Sequence, residues 1–85
     1  MNTPEHIKQL EMILSNDAYR YLYLISLISA DTLVTKEACE GSLNVFNLIK
    51  ENMHIMNLTD EVKSELYEFV EKGIEIVNKT SENFK

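Results

Sequence analysis

Glycine, proline and cysteine are scarce in this sequence, and tryptophan is missing. Two glycines and one proline among 85 residues are too few for a loop-rich β-sandwich, and the 45% apolar content argues against a disordered chain. The single cysteine, Cys39, excludes an internal disulfide. Because the N-terminus also does not resemble a signal peptide, we expect a reducing, cytoplasmic location.

Positive charge is in short supply as well: eight lysines and arginines stand against fourteen acidic residues, for a net charge of −6. The cations are spread singly along the chain, so the sequence offers no basic patch for a phosphate backbone and argues against nucleic acid as a partner.

Long hydrophobic runs are missing too. The longest strongly apolar stretch, residues 22–33, is shorter than the roughly 20 residues that span a bilayer, so we expect no membrane insertion.

The segment YRYLYLISLIS, residues 19–29, is the most apolar feature of the sequence. Only Ile25 and Ile28 are β-branched, leucine is a good helix former, and residues 18–30 contain no turn former, so a helix is favoured over a strand. Helical periodicity assigns one face to the core, consisting of Ala18, Tyr21, Leu22, Leu24, Ile25 and Ile28.

The opposite face of this helix carries Tyr19, Tyr23 and Leu27, which is unusually apolar for a surface. Two interpretations remain open at this point: the helix is central and packed on both sides, or a partner covers its second face. Tyrosine suits a partner contact because its ring is buried while its hydroxyl stays in water. We therefore select these three residues as candidate partner-binding residues.

The whole pattern predicts an all-α fold, a small four-helix bundle with antiparallel neighbours, in a single domain of residues 1–85. We expect helices at about 4–14, 17–31, 35–53 and 59–79, and a frayed tail over 80–85. Thr3, Thr35 and Thr59 are the predicted N-caps, while residues 15–17 mark either a break with a new cap or a kink in one longer helix. The predicted inward residues of the other helices are Ile7, Leu10, Ile13, Leu14; Ala38, Ser42, Val45, Phe46, Ile49, Met53; and Val62, Leu66, Phe69, Val70, Gly73, Val77.

Catalysis and metal binding find little support in the sequence. Glu51 and His54 have the three-residue spacing of helical di-metal ligands, but a complete site would need a second such pair from a homodimer. Their polar periodicity also places them on a solvated helix face. Cys39 as a nucleophile would need His6 or His54 as its base, and no local signature supports this. We predict no enzyme activity, no metal and no cofactor.

A helix-turn-helix motif is the second alternative, suggested by Gly41 and Ser42 within residues 35–51. The reading helix of such a motif contacts bases and phosphates, yet residues 43–49 contain no cation. An acidic DNA-binding regulator therefore remains the weaker hypothesis.

An uncompensated acidic patch begins the last predicted helix, where Glu61, Glu65 and Glu68 share one face. A small acidic helical bundle without a catalytic site is a description shared by immunity proteins, phage-encoded inhibitors and regulatory adaptors, which is an analogy of class only. We expect a non-enzymatic protein that masks or inhibits another protein with a basic surface, or that forms a homodimer.

Overall fold

The computed structural model describes residues 5–84, and within them it confirms the predicted all-α, small four-helix bundle. The helices are α1 (Glu5–Ser15), α2 (Asp17–Ile28), α3 (Lys36–Asn52) and α4 (Asp60–Ser81), with short 3₁₀ turns at Met53–Ile55 and Glu82–Phe84. The predicted cap at Thr3 lies outside the described residues. Helix α2 ends three residues earlier than the predicted boundary at 31.

Side-chain caps start three of the helices where the sequence predicts them. Thr35 Oγ1 accepts a hydrogen bond from Ala38 N at 3.0 Å, and Thr59 Oγ1 accepts one from Val62 N at 3.2 Å. Asn16 has extended backbone angles and caps α2 through its side-chain oxygen. The first two helices are therefore separated at Asn16, which settles the choice between a break and a single kinked helix.

Helices α3 and α4 form the most extensive interface. Helix α2 packs against both α1 and α4. The α3–α4 pair is antiparallel, because Phe46 lies against Gly73 and Lys50 contacts Glu71 closer to the start of α4. The inward residues predicted for α1, α3 and α4 are buried or partly buried, as the sequence indicates. The fully buried large side chains are Ile7, Leu14, Leu24, Phe46, Ile49, Leu66, Val70 and Val77.

The inward glycine of α4 is required by a close approach of α3. A Cβ added to Gly73 would lie 2.6 Å from Cζ of Phe46, which is closer than real Cβ contacts come. The neighbour at this position is an aromatic ring of α3 and not its backbone. The glycine thus sets the distance at which the Phe46 side chain packs on α4.

The connector between α3 and α4 fills one end of the core. Met53 and Met56 are buried there, and their flexible thioether side chains suit the irregular end of a small core. The connector is also tied to α1, because the Glu11 carboxylate accepts a hydrogen bond from the Asn57 backbone at 2.7 Å. Leu33, between α2 and α3, is buried as well and fills the core from the other loop.

The predicted orientation of α2 is wrong. Tyr21, Leu22 and Ile25, assigned to the core, are exposed, whereas Tyr23 and Leu27, assigned to the outer face, pack against the core. Of the residues predicted to face inward, only Leu24 is buried and Ile28 partly buried, while Ala18 is exposed. In this orientation Arg20, only 4% exposed, lies on the inward side with Leu24, and its guanidinium satisfies the Leu14 carbonyl at the end of α1, which the predicted orientation would leave without this donor.

Helix α4 extends further toward the end of the chain than the predicted boundary at 79. It continues to Ser81 and passes into the 3₁₀ turn, so residues 80–84 have helical geometry; the fraying expected of this segment stays a prediction. The Thr80 hydroxyl donates to the Ile76 carbonyl at 2.9 Å, and the Ser81 hydroxyl donates to the Asn78 carbonyl at 2.8 Å. These local bonds satisfy carbonyl groups in the last turns of the helix.

Candidate functional site

Four large side chains of α2 project into solvent on adjoining positions and form what we call the α2 face. Their exposed fractions are 63% for Tyr19, 47% for Tyr21, 66% for Leu22 and 54% for Ile25. Single exposed apolar residues are ordinary on protein surfaces, but a contiguous apolar patch on one helix is typical of an interaction site. An exposed apolar face therefore exists on this helix, but it shares only Tyr19 with the predicted outer face, and Tyr21, Leu22 and Ile25 take the place of Tyr23 and Leu27.

A cleft of about 490 Å³ lies beside the α2 face, between α2 and the first turns of α4. We call it the α2–α4 cleft. Its lining consists of Ser15, Asp17, Arg20, Tyr21, Thr59, Glu61, Val62 and Glu65. Tyr21 belongs to both the cleft and the α2 face, so the apolar and the charged surfaces are continuous.

The guanidinium of Arg20 forms the buried part of this cleft and joins two helices. Its Nη1 donates to the Leu14 carbonyl at 2.9 Å, which satisfies one of the free carbonyls at the end of α1. Its Nη2 lies 2.8 Å from an Asp17 carboxylate oxygen and 3.9 Å from Glu65, and its Cζ is 5.2 Å from the Tyr21 ring centre. Burial alone would lower the pKa of Arg20, but the hydrogen bond and charge of Asp17 and the Tyr21 contact outweigh it, so the pKa is raised and Arg20 stays charged.

The cleft carries excess negative charge at its rim. One guanidinium faces the carboxylates of Asp17, Glu61 and Glu65, so one positive charge against three negative charges leaves −2. Glu65 accepts a hydrogen bond from the Tyr21 hydroxyl at 3.2 Å, which connects the acidic rim directly to the α2 face. Among the described residues, Glu61 makes no ion pair, so its carboxylate is open to a cation from outside.

The structure brings together only part of the predicted partner-binding set. Tyr19 lies on the α2 face and Glu61 and Glu65 line the cleft, whereas Glu68 is exposed on α4 but not part of the cleft lining. Tyr23 and Leu27 are on the core side of α2. Sequence reasoning missed the exposed role of Leu22 and Ile25, since their periodicity alone is equally typical of a core face.

Tyr23 lines a separate, smaller cavity of about 240 Å³ between α1, α2 and α3. The other lining residues are His6, Gln9, Leu10, Ile13, Val45 and Leu48. This space is below the roughly 300–1,000 Å³ of ordinary ligand pockets. Burial raises the pKa of the Tyr23 hydroxyl above its ordinary value of 10.0.

The raised pKa of Tyr23 predicts a loss of stability at alkaline pH. The unfolded chain releases this proton near pH 10.0 and the folded chain only at higher pH, so the contribution is complete below 10.0 and disappears as the pH rises through the folded pKa. Urea unfolding from neutral to strongly alkaline pH, compared between the wild type and Tyr23→Phe, measures it. A Tyr23→Phe protein that loses stability as steeply as the wild type above pH 10.0 would contradict the assignment.

The candidate metal ligands and the candidate nucleophile do not form a common site among the described residues. Glu51 and His54 are both exposed, and no group of three or more potential metal ligands occurs among residues 5–84. The polar face that they share with Glu40, Asn44 and Asn47 is exposed throughout, as its periodicity predicts. Cys39 is fully buried, so its thiol is not accessible to a substrate in solution.

The segment suggested as a helix-turn-helix is a single helix. Helix α3 runs without interruption from Lys36 to Asn52, through Gly41 and Ser42, where the motif would require a turn. The structure therefore does not contain the helix-turn-helix that the weaker alternative assigns to residues 35–51. The DNA-binding alternative loses the structural feature on which it depended.

Comparisons with protein-family models, with curated proteins and with solved structures find no match to this chain. Within the part of the chain that the structure describes, no helix is both long and apolar enough to cross a membrane.

Proposed function

We propose that this chain is a non-enzymatic binding protein that masks or inhibits another protein through the α2 face and the α2–α4 cleft. The observation that carries the proposal is the unbroken surface formed by Leu22, Ile25 and Tyr21 with the acidic rim at Glu65. An apolar centre beside charged groups is the usual composition of a protein-binding surface. Exposure of such side chains without a partner costs solubility, which makes a bound state favourable.

The chemistry of the remaining surface supports binding over catalysis. The only thiol is buried, and the two histidines lie on exposed positions away from the cleft lining. The cleft itself contains carboxylates and a fixed guanidinium without a nucleophile–base pair. We further propose a cytoplasmic protein, since a free buried thiol is compatible with a reducing compartment.

Photo-crosslinking tests the proposed function. A benzophenone amino acid at Leu22, on the α2 face, is expected to form a discrete protein adduct in cells that express the chain. The same group at Met12, which is even more exposed but lies on α1, is the matched control and should form none. If Leu22 gives no protein adduct of any kind, neither with another protein nor with a second copy, the proposed function is wrong.

Removing the apolar side chains should abolish the adduct without unfolding the chain. Because Leu22 and Ile25 are both more than half exposed, Leu22→Ser with Ile25→Ser should change the free energy of unfolding by only about 0.5 kcal/mol per site. Thermal unfolding followed by circular dichroism checks the fold, and crosslinking from a probe at Tyr19 checks binding. An undiminished Tyr19 adduct in this variant would show that the α2 face is not the contact surface.

A further inference from the structure

We infer that the occupant of this surface is an amphipathic helix of a partner protein that carries arginine or lysine beside its apolar side chains, and not a second copy of this chain. The inference rests on the proposed function and specifies its partner. It follows from the arrangement of apolar and acidic groups around Tyr21.

The geometry of the α2 face fits a helix. The residues from Tyr19 to Ile25 span about 10 Å along the axis at 1.5 Å per residue, which matches about two turns of a partner helix. The chain presents no strand within residues 5–84, so it offers no free sheet edge for an extended peptide. Recognition must then occur between side chains, as when the apolar side of a helix lies along a groove.

The charge of the cleft specifies the flanking groups of that helix. The carboxylates of Glu61 and Glu65 lie at the end of the α2 face nearest Tyr21, and the cleft has a net charge of −2. An arginine of the partner would be held by two carboxylates and could lie on the Tyr21 ring, as Arg20 does from the inner side. An acidic or neutral helix would leave these charges without compensation.

A second copy lacks the complementary cation. In a two-fold dimer the same surface faces itself, so the compensating charge would have to come from α2 or from the cleft. The only cation on α2 is Arg20, which is buried and engaged, and Lys63 at the start of α4 does not line the cleft. Self-association would therefore bring together two surfaces with excess negative charge.

A designed peptide tests the inference directly. The probe is a synthetic helix of about 15 residues with leucine on one face and arginine flanking it, labelled for fluorescence anisotropy. Its control has the same leucines with glutamate in place of arginine. We expect the basic peptide to bind at least tenfold more tightly than the acidic one, and its affinity to fall as salt increases.

Two pairs of substitutions with the same change in net charge locate the contact. Glu61→Gln with Glu65→Gln removes the cleft charge while keeping a group that can accept the Tyr21 hydrogen bond, and should weaken the basic peptide about tenfold. Glu37→Gln with Glu40→Gln removes two exposed charges of α3 and should weaken it less than about twofold. Leu22→Ser with Ile25→Ser should also weaken binding at least tenfold.

Equal binding of the two peptides, no binding of the basic peptide, or equal effects of the two charge pairs would overturn the inference. The oligomeric state, measured by light scattering, separates the two possible occupants. A dimer that Leu22→Ser with Ile25→Ser separates would refute the basic helix and assign the surface to a second copy, while the proposed binding function would stand. A missing adduct at Leu22 would instead refute the binding function itself.

Discussion

Replacing Gly73 with alanine is expected to destabilise the protein by about 2 kcal/mol, although alanine is the better helix former. The added Cβ would lie 2.6 Å from Cζ and 2.9 Å from Cε2 of Phe46, whose side chain is fully buried. Overpacking in a rigid core costs up to about 3 kcal/mol, and the gain in helix propensity returns about 1 kcal/mol. Urea unfolding of the purified variant measures the difference in the free energy of unfolding.

Gly41 is the matched control, since it is the other glycine and also lies inside a helix. No atom would come within 4 Å of a Cβ at this position, so Gly41→Ala should stabilise the protein by about 0.5–1 kcal/mol. Adding Phe46→Leu to Gly73→Ala should cost less than the sum of the two single changes, because the smaller side chain makes room for the methyl group. Stabilisation by Gly73→Ala equal to that of Gly41→Ala would mean that α3 and α4 are not in close contact here.

Replacing Arg20 with methionine is expected to cost about 1–3 kcal/mol, although Arg20 lies in an otherwise apolar helix. The main loss is the hydrogen bond to the Leu14 carbonyl, which would remain buried without a donor at the junction of α1 and α2. The carboxylates of Asp17 and Glu65 are largely exposed and return to water, so no unpaired buried charge adds to the cost. Denaturant unfolding measures the loss.

Asp17→Asn is the control for the charge of this pair. The Asp17 side chain is 86% exposed, so its ion pair with Arg20 is strongly screened and its loss should cost less than about 1 kcal/mol. Arg20→Lys keeps the charge but has a single donor nitrogen in place of the guanidinium fork. Its free energy of unfolding should lie between those of the wild type and Arg20→Met. If Asp17→Asn costs as much as Arg20→Met, the ion pair and not the Leu14 hydrogen bond holds the junction.

Three of the four helices could be predicted from the sequence down to their inward residues. In α3 and α4, apolar residues repeat at helical spacing on one side only, and Thr35 and Thr59 supply the caps that start them. The inward position of Gly73 followed from the same periodicity, whereas the contact with Phe46 that requires a small residue there is known only from the structure. The spacing of Glu61, Glu65 and Glu68 predicts one acidic helix face; Glu61 and Glu65 line the cleft, whereas Glu68 does not.

The rotation of α2 about its own axis could not be predicted, because residues 18–28 are apolar on both sides and a periodicity argument has no contrast to use. Only the tertiary structure shows it: Arg20 donates a hydrogen bond to the Leu14 carbonyl near the end of α1, and Tyr23 and Leu27, on the same side of α2, pack against the core. Leu22 and Ile25 are left in solvent as a result. The composition of α2 thus predicts how much apolar surface the helix carries. Which side of α2 stays exposed depends on its packing against the neighbouring helices, including the hydrogen bond from Arg20 to the Leu14 carbonyl of α1.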